Sequence, residues 1–89
     1  MQHNNKSELF KKALGKVILD IINSTGKSIS TFAREYDFDR GNLSKITRGQ
    51  LGCRIETVWK IAEAGNVDFI ELSKRLKNKL GNDFSFIDE

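Results

Sequence analysis

The residues best suited to chemistry lie in one short stretch, residues 40–54, which reads RGNLSKITRGQLGCR. Its basic members are Arg40, Lys45, Arg48 and Arg54. No carboxylate occurs within the stretch, so nothing in it repels a phosphate. Arginine and lysine can donate hydrogen bonds to guanine O6 and N7, and asparagine can pair with adenine. Arg40, Asn42 and Lys45 therefore have side chains of the types that read base edges in the major groove of DNA.

Gly41 stands between two of these side chains, inside the first turn of a short helix indicated by Leu43 and Ile46. A glycine inside a helix costs about 0.5–1 kcal/mol relative to alanine. Close approach to a nucleic acid would be one reason for tolerating it. The other interpretation is that Gly41 lies near a frayed helix end, where the cost is small, and the sequence does not choose between the two.

The sequence lacks the residue combinations that catalysis or metal binding would need. The sequence contains no nucleophile paired with a base and no glycine loop suited to cradling phosphate, which predicts that the protein is not an enzyme. A single cysteine, Cys53, cannot form an internal disulfide, and with the single histidine, His3, it cannot supply the three or four ligands of a usual metal site. We therefore expect no metal and no cofactor.

Length and charge limit the organisation of the chain. Its 89 residues predict one domain over residues 1–89, with no room for a small-molecule effector domain. The net charge is +3, and the basic excess lies in residues 1–52, since residues 53–89 carry six basic and seven acidic groups. No apolar run is long enough to span a membrane, and the first ten residues lack the apolar core of a signal peptide. These features predict a cytoplasmic protein.

Apolar residues recur at helical spacing in five segments, and no segment alternates as a strand would, which predicts an all-α fold of five helices. The first helix is capped by Asn5 or Ser7 and ends at Gly26, and Ser28 and Asp39 cap the second and third. The third ends at Gly49. The fourth runs from about residue 54 to 64, and the fifth runs from Asp68 to Gly81. The residues predicted to face inward on the fourth helix are Ile55, Val58, Ile61 and Ala62.

The second and third helices are separated only by Asp37, Phe38 and Asp39. So short a connection prevents the two helices from lying antiparallel, and the apolar Phe38 is expected to hold the turn against the core. Two short helices joined by a tight turn and crossing steeply form a helix-turn-helix.

Residues 28–64, SISTFAREYDFDRGNLSKITRGQLGCRIETVWKIAEA, resemble the lambda-repressor-like (Cro/cI-type, XRE) helix-turn-helix family. The matching elements are Phe32-Ala33, Leu43-Ser44-Lys45-Ile46, Arg48-Gly49, Ile55-Glu56-Thr57-Val58 and Lys60-Ile61-Ala62. With the flanking helices the resemblance covers about residues 8–73, and the C-terminal helix and an apolar tail occupy residues 68–89. One departure is Asp37, which stands where the family commonly has a turn glycine.

The resemblance implies sequence-specific binding of double-stranded DNA, usually as a homodimer on a palindrome-like operator, with repression or activation of transcription. Carried onto this sequence, the base-reading positions are Arg40, Gly41, Asn42 and Lys45. The positions expected to contact phosphate are Ser28, Ser30, Thr31, Ser44, Arg48, Gln50 and Arg54. The alternative is an antitoxin-type or adaptor protein that binds a protein partner through the fifth helix and the tail.

Three features stay open in the sequence. Trp59 could face a partner or the core, and core packing is the commoner fate of a single helical tryptophan. The lysines of the first helix could form a solvated face or touch a DNA backbone. The tail, residues 82–89, alternates Phe84, Phe86 and Ile87 with polar residues, and it could fold back on the first and fifth helices or contact a second subunit.

Overall fold

The computed structural model describes the backbone of residues 2–87 and the side chains of residues 6–87. The side chain of His3 and the last two tail residues, Asp88 and Glu89, lie outside the described residues. The elements are α1 (Gln2–Ser24), α2 (Ile29–Glu35), α3 (Arg40–Thr47), α4 (Ile55–Ala64) and α5 (Phe69–Leu80). The prediction of five helices is confirmed, and no strand occurs within residues 2–87.

Side-chain caps begin three of the helices. Ser28, Asp39 and Asp68 each accept a hydrogen bond from a backbone N–H in the first turn of α2, α3 and α5. The predicted caps of the first helix were wrong, because α1 begins at Gln2, before both Asn5 and Ser7. α3 also ends earlier than predicted, at Thr47, with Arg48 as its C-cap.

The core lies between α1 and the other four helices, and every helix contributes to it. Its buried apolar residues are Leu14, Val17, Ile18, Ile21, Ile22, Phe32, Ala33, Leu43, Ile46, Val58, Ile61, Ala62 and Leu72. α1 packs against α3 and α5, α2 packs against α3, and α4 packs against α5. α3 is therefore held from behind by two helices, and its other side is free to meet solvent or a ligand.

One prediction about the fourth helix was wrong, because Ile55, expected to face inward, is 67% exposed. Trp59, which the sequence left open between a partner and the core, is 51% exposed and stacks on Phe69 with ring centroids 4.9 Å apart. Residues at these positions share a helix face with the apolar stripe in the sequence. The neighbouring helices, however, cover only the part of that stripe formed by Val58, Ile61 and Ala62.

The tail folds back as far as it is described. The Phe84 and Phe86 rings lie 6.2 and 5.3 Å from the Phe10 ring of α1, and 5.0 Å from each other. Gly81 permits the change of direction after α5 because its φ is +88°, in the region that favours glycine. Ile87 remains 71% exposed, so the fold-back leaves apolar surface in water.

Within the described residues, no helix is both long enough and apolar enough to cross a bilayer.

Candidate nucleic-acid interface

The turn between α2 and α3 is held by the core, as predicted from Phe38. The Phe38 ring stacks on Phe32 at 5.9 Å, and its backbone N–H donates to the Ala33 carbonyl at 2.8 Å. Asp37 takes a φ of +62°, which few non-glycine residues adopt, so the chain makes this turn without the glycine common in the resembling family. The turn sets the position of α3 relative to α2.

α3 has two chemically different sides. Leu43, Ile46 and Thr47 are buried, and the Thr47 hydroxyl satisfies itself by donating to the Ser44 carbonyl at 2.7 Å. The predicted base-reading residues are all exposed: Arg40, Gly41, Asn42 and Lys45. The helix therefore offers cationic and amide donors on the side that the core leaves uncovered.

At the N-terminal end of α3, predicted base and phosphate positions lie together. Arg40 Nε donates a hydrogen bond to the Ser30 hydroxyl of α2, which joins the first turns of the two helices. The Ser28 hydroxyl accepts from the Thr31 N–H at 3.1 Å and donates to the Thr31 hydroxyl at 3.1 Å. These hydroxyls already have partners, so a phosphate at this end would compete with or share existing hydrogen bonds.

The loop after α3 continues the exposed side of the helix. Arg48 and Gln50 are exposed, and the Gln50 N–H donates to the Lys45 carbonyl at 2.9 Å. Arg54 is exposed and is the N-cap residue of α4, where its guanidinium, which can only donate, makes no capping bond. Ser44 is half-buried. Of the predicted phosphate-contacting residues, none is buried, and the basic ones are all exposed.

Sequence reasoning left open whether the lysines of α1 touch DNA, and it missed the contact that places α1 against α3. A Cβ on Gly15, in the middle of α1, would collide with the Ile46 carbonyl oxygen and lie 3.0 Å from that of Thr47. Glycine at position 15 therefore lets α1 approach the last turn of α3 more closely than a residue with a side chain would allow. The only signal in the sequence was a glycine inside a helix, which costs about 0.5–1 kcal/mol and asks for a packing reason.

This close approach brings two lysines of α1 beside the loop after α3. Gly49 has a φ of +75°, and a Cβ there would lie 2.7 Å from Lys12 Cγ. A Cβ on Gly52 would lie 3.8 Å from Lys11 Cε. Lys11 and Lys12 thus border the same loop as Arg48, and the basic surface extends beyond the residues predicted from the family resemblance.

The surroundings of Gly41 favour neither of its two interpretations outright. A Cβ at this position would meet only Asp39 Oδ1, at 3.4 Å, which is ordinary contact. The fold of the chain thus imposes no need for glycine here, and a packing requirement, if one exists, comes from a molecule outside it.

Burial raises the pKa of the Cys53 thiol above its ordinary value, because the thiolate would lose hydration in this half-buried position. A thiol with a raised pKa is a poor nucleophile at neutral pH. Among the residues whose side chains are described, no group of three or more histidine, cysteine or acidic residues could hold a metal ion.

Comparison with protein-family models, with curated proteins and with solved structures returns no match to this chain. The resemblance of residues 28–64 to the lambda-repressor-like family therefore stays a prediction from the residues themselves.

Proposed function

We propose that the protein is a transcriptional regulator that binds double-stranded DNA in a sequence-specific manner, with α2 and α3 as a lambda-repressor-like helix-turn-helix. In this proposal α3 lies in the major groove, and the protein most readily acts as a repressor, because bound protein blocks access to its site. Two copies bind a palindrome-like operator, one on each half-site.

The single observation that carries the proposal is the asymmetry of α3. Its inner side is anchored by buried Leu43 and Ile46, while Arg40, Asn42 and Lys45 are exposed, and the sequence has no carboxylate between residues 40 and 55. A protein gains little stability from holding a row of cations on a short helix. DNA is a polyanion whose base edges accept hydrogen bonds in the major groove, so binding to DNA would account for this row of cations.

The proposed contacts divide by role. Arg40, Asn42 and Lys45 donate to base edges and set the sequence preference. Phosphate contacts from the basic residues around the loop position the helix and supply most of the non-specific affinity. Those basic residues are Lys11, Lys12, Arg48 and Arg54. Each phosphate neutralised releases counterions, so affinity should fall steeply as salt rises.

The testing experiment is selection of bound duplexes from a random pool by the purified chain, repeated at two salt concentrations. An enriched two-fold-symmetric motif that persists at the higher salt supports the proposal and defines the half-site. Binding without an enriched motif, lost at the higher salt, would leave only the electrostatic attraction of a basic surface for a polyanion. That outcome contradicts sequence-specific regulation.

A second candidate function is that of an antitoxin-type or adaptor protein, and the exposed apolar end of the tail favours it. Phe86 is half-exposed and Ile87 largely so, although their neighbour Phe84 packs toward Phe10. A partner protein could bury both side chains. The two candidates differ in one property, because an adaptor need not bind duplex DNA in the absence of its partner.

A further inference from the structure

The outer face of α4 is apolar and uncovered. Five residues line a shallow depression along it: Ile55, Glu56, Trp59, Lys60 and Glu63. They recur at the spacing of one helix face, and Ile55 and Trp59 are one turn apart. Two large apolar side chains side by side in water are costly, and such patches bordered by charges mark interaction surfaces.

The Trp59 side chain is held in place before any partner arrives. Its indole stacks on the Phe69 ring of α5 at 4.9 Å with an interplanar angle of 24°. A tryptophan that is already ordered loses little side-chain entropy on binding, and tryptophans of this kind dominate interface energies. The α4 face therefore has a fixed anchor rather than a loosely attached apolar side chain.

We infer that this face of α4 binds the same face of a second copy of the chain, with the two helices antiparallel about a two-fold axis. In a two-fold contact, residue i of the first copy meets residue j of the second, and residue j of the first copy meets residue i of the second. Direct opposition of Ile55 and Trp59 centres an antiparallel contact on residue 57, and direct opposition of Glu56 and Lys60 centres it on residue 58. A register centred between these two residues brings each pair within one residue's rise, about 1.5 Å, of direct opposition.

The charge pattern is what selects a second copy as the occupant. One intermediate register brings both the apolar pair and the charge pair within reach, and the two-fold axis repeats each pair. Glu63, which would repel Glu56 in a register centred between residues 59 and 60, lies outside the close contact in the register inferred here. In the single chain the Lys60 ammonium lies 4.6 Å from the centroid of the Phe38 ring and donates a long hydrogen bond, 3.4 Å, to the Asp37 carbonyl. Pairing with Glu56 of the second copy therefore requires this flexible side chain to exchange those contacts for an ion pair.

The contact is small, which predicts a weak dimer. α4 has 10 residues, or a length of about 15 Å, so its face lies at the low end of specific interface sizes. This inference deepens the proposed function by naming the surface that joins the two half-site-bound copies. A weak dimer in solution would then be reinforced when both copies occupy one operator.

The test is sedimentation equilibrium of the full chain over a wide concentration range, comparing Ile55→Lys with Ile70→Lys. The two isoleucines are 67% and 66% exposed, and Ile70 does not line the α4 depression. We expect Ile55→Lys to weaken dimerisation on the order of tenfold or more, as loss of an interface anchor does, and Ile70→Lys to leave it unchanged. Circular dichroism of both variants checks that the helices remain folded.

The antiparallel register has its own test in a charge-exchange cycle. Glu56→Lys alone and Lys60→Glu alone should each weaken the dimer, and the double variant should recover much of the loss, because both contacts are then reversed together. A double variant as weak as the sum of the single variants would overturn the register. A chain that stays monomeric at every concentration, or a dimer broken by Ile70→Lys and not by Ile55→Lys, would overturn the inference itself.

The two proposals fail in distinguishable ways. A monomeric chain that still selects a DNA motif, one without two-fold symmetry, refutes the α4 dimer and leaves DNA recognition standing. A chain that dimerises through α4 but selects no DNA motif refutes the proposed function and leaves the dimer standing.

Discussion

α3 and α4 are consecutive helices that pack into the core in the same way. Their uncovered faces differ, because that of α3 is cationic and that of α4 is apolar. Each is a short helix that buries about three residues: Leu43, Ile46 and Thr47 in α3, and Val58, Ile61 and Ala62 in α4. The exposed face of α3 is cationic and amide-bearing. The exposed face of α4 has an isoleucine and a tryptophan, bordered by charges of both signs.

We propose that the difference reflects two kinds of partner. A face of hydrogen-bond donors suits a polyanion, and water hydrates it well when no partner is bound. An apolar face is unfavourable in water and is stabilised by burial against another apolar surface. The position of the two faces on consecutive helices means that one rigid unit could bind DNA and a second protein copy together. Substitutions on the inner sides of these helices should therefore change stability, whereas substitutions on their outer faces should change binding.

The largest expected effect comes from truncating an isoleucine on the inner side of α3, compared with truncating one on the outer face of α4. Ile46→Ala should lower the free energy of unfolding by about 2–5 kcal/mol, because it leaves a cavity beneath α3. Ile55→Ala should change it by no more than about 0.5 kcal/mol, since that side chain is already in water. Denaturant unfolding measures both, and equal effects would mean that the assignment of the inner and outer sides is wrong.

The contact between α1 and α3 gives the next effect. Gly15→Ala should destabilise the fold by about 1–3 kcal/mol, because the added methyl must push against the Ile46 carbonyl. Gly52→Ala is the matched control, since its methyl would meet only the flexible end of Lys11 at 3.8 Å. Thermal unfolding of both variants compares them. A Gly15→Ala protein as stable as the parent would show that α1 does not hold α3 this closely.

A change confined to the outer face of α3 should affect binding and spare stability. Lys45→Ala should cost about 1–3 kcal/mol on the selected DNA motif and relax preference at one base position. Lys74→Ala, on α5, removes the same charge elsewhere and should cost little. An equal loss on the motif and on random DNA would reassign Lys45 to phosphate contact.

Gly41 separates stability from binding most sharply. Gly41→Ala should stabilise the free protein by about 0.5–1 kcal/mol, because alanine is the better helix former and the site has room for its methyl. If close approach to DNA is the reason for the glycine, the same variant should bind the motif more weakly. Unchanged binding would favour the interpretation that glycine is simply tolerated in the first helical turn.

Cys53 gives the smallest effect, and it lies beside both regions, lining a groove next to α3 and a cavity near α4 and α5. Because burial raises its thiol pKa, alkylation at pH 8 should be slower in the folded chain than in the denatured chain. The folded chain binds the thiol proton more tightly. The resulting stability is present below the unfolded thiol pKa and is lost as pH rises through the folded one. Equal alkylation rates would contradict the burial.

The sequence alone predicted the five helices, the caps at Ser28, Asp39 and Asp68, the turn held by Phe38 and the buried side of α3. Each of these depends on interactions within a few residues: helical periodicity, capping hydrogen bonds, and a connection too short for other geometries. The concentration of basic residues without carboxylates between residues 40 and 55 could likewise be read directly. That is why the candidate DNA-reading residues could be named before any coordinates, and each of them is exposed in the structure.

Only the tertiary structure decided how much of each apolar stripe is covered. Periodicity indicates that α4 has an apolar side, but the width that its neighbours bury depends on where α5 and α1 pack. Ile55 is therefore exposed against expectation, and Trp59, left open by the sequence, is half-exposed. The placement of Lys12 beside Gly49 likewise depends on contacts between residues far apart in the chain. α1 approaches α3 this closely because Gly15 has no side chain. Local sequence patterns do not identify the partners in such distant contacts, because only folding brings those residues together.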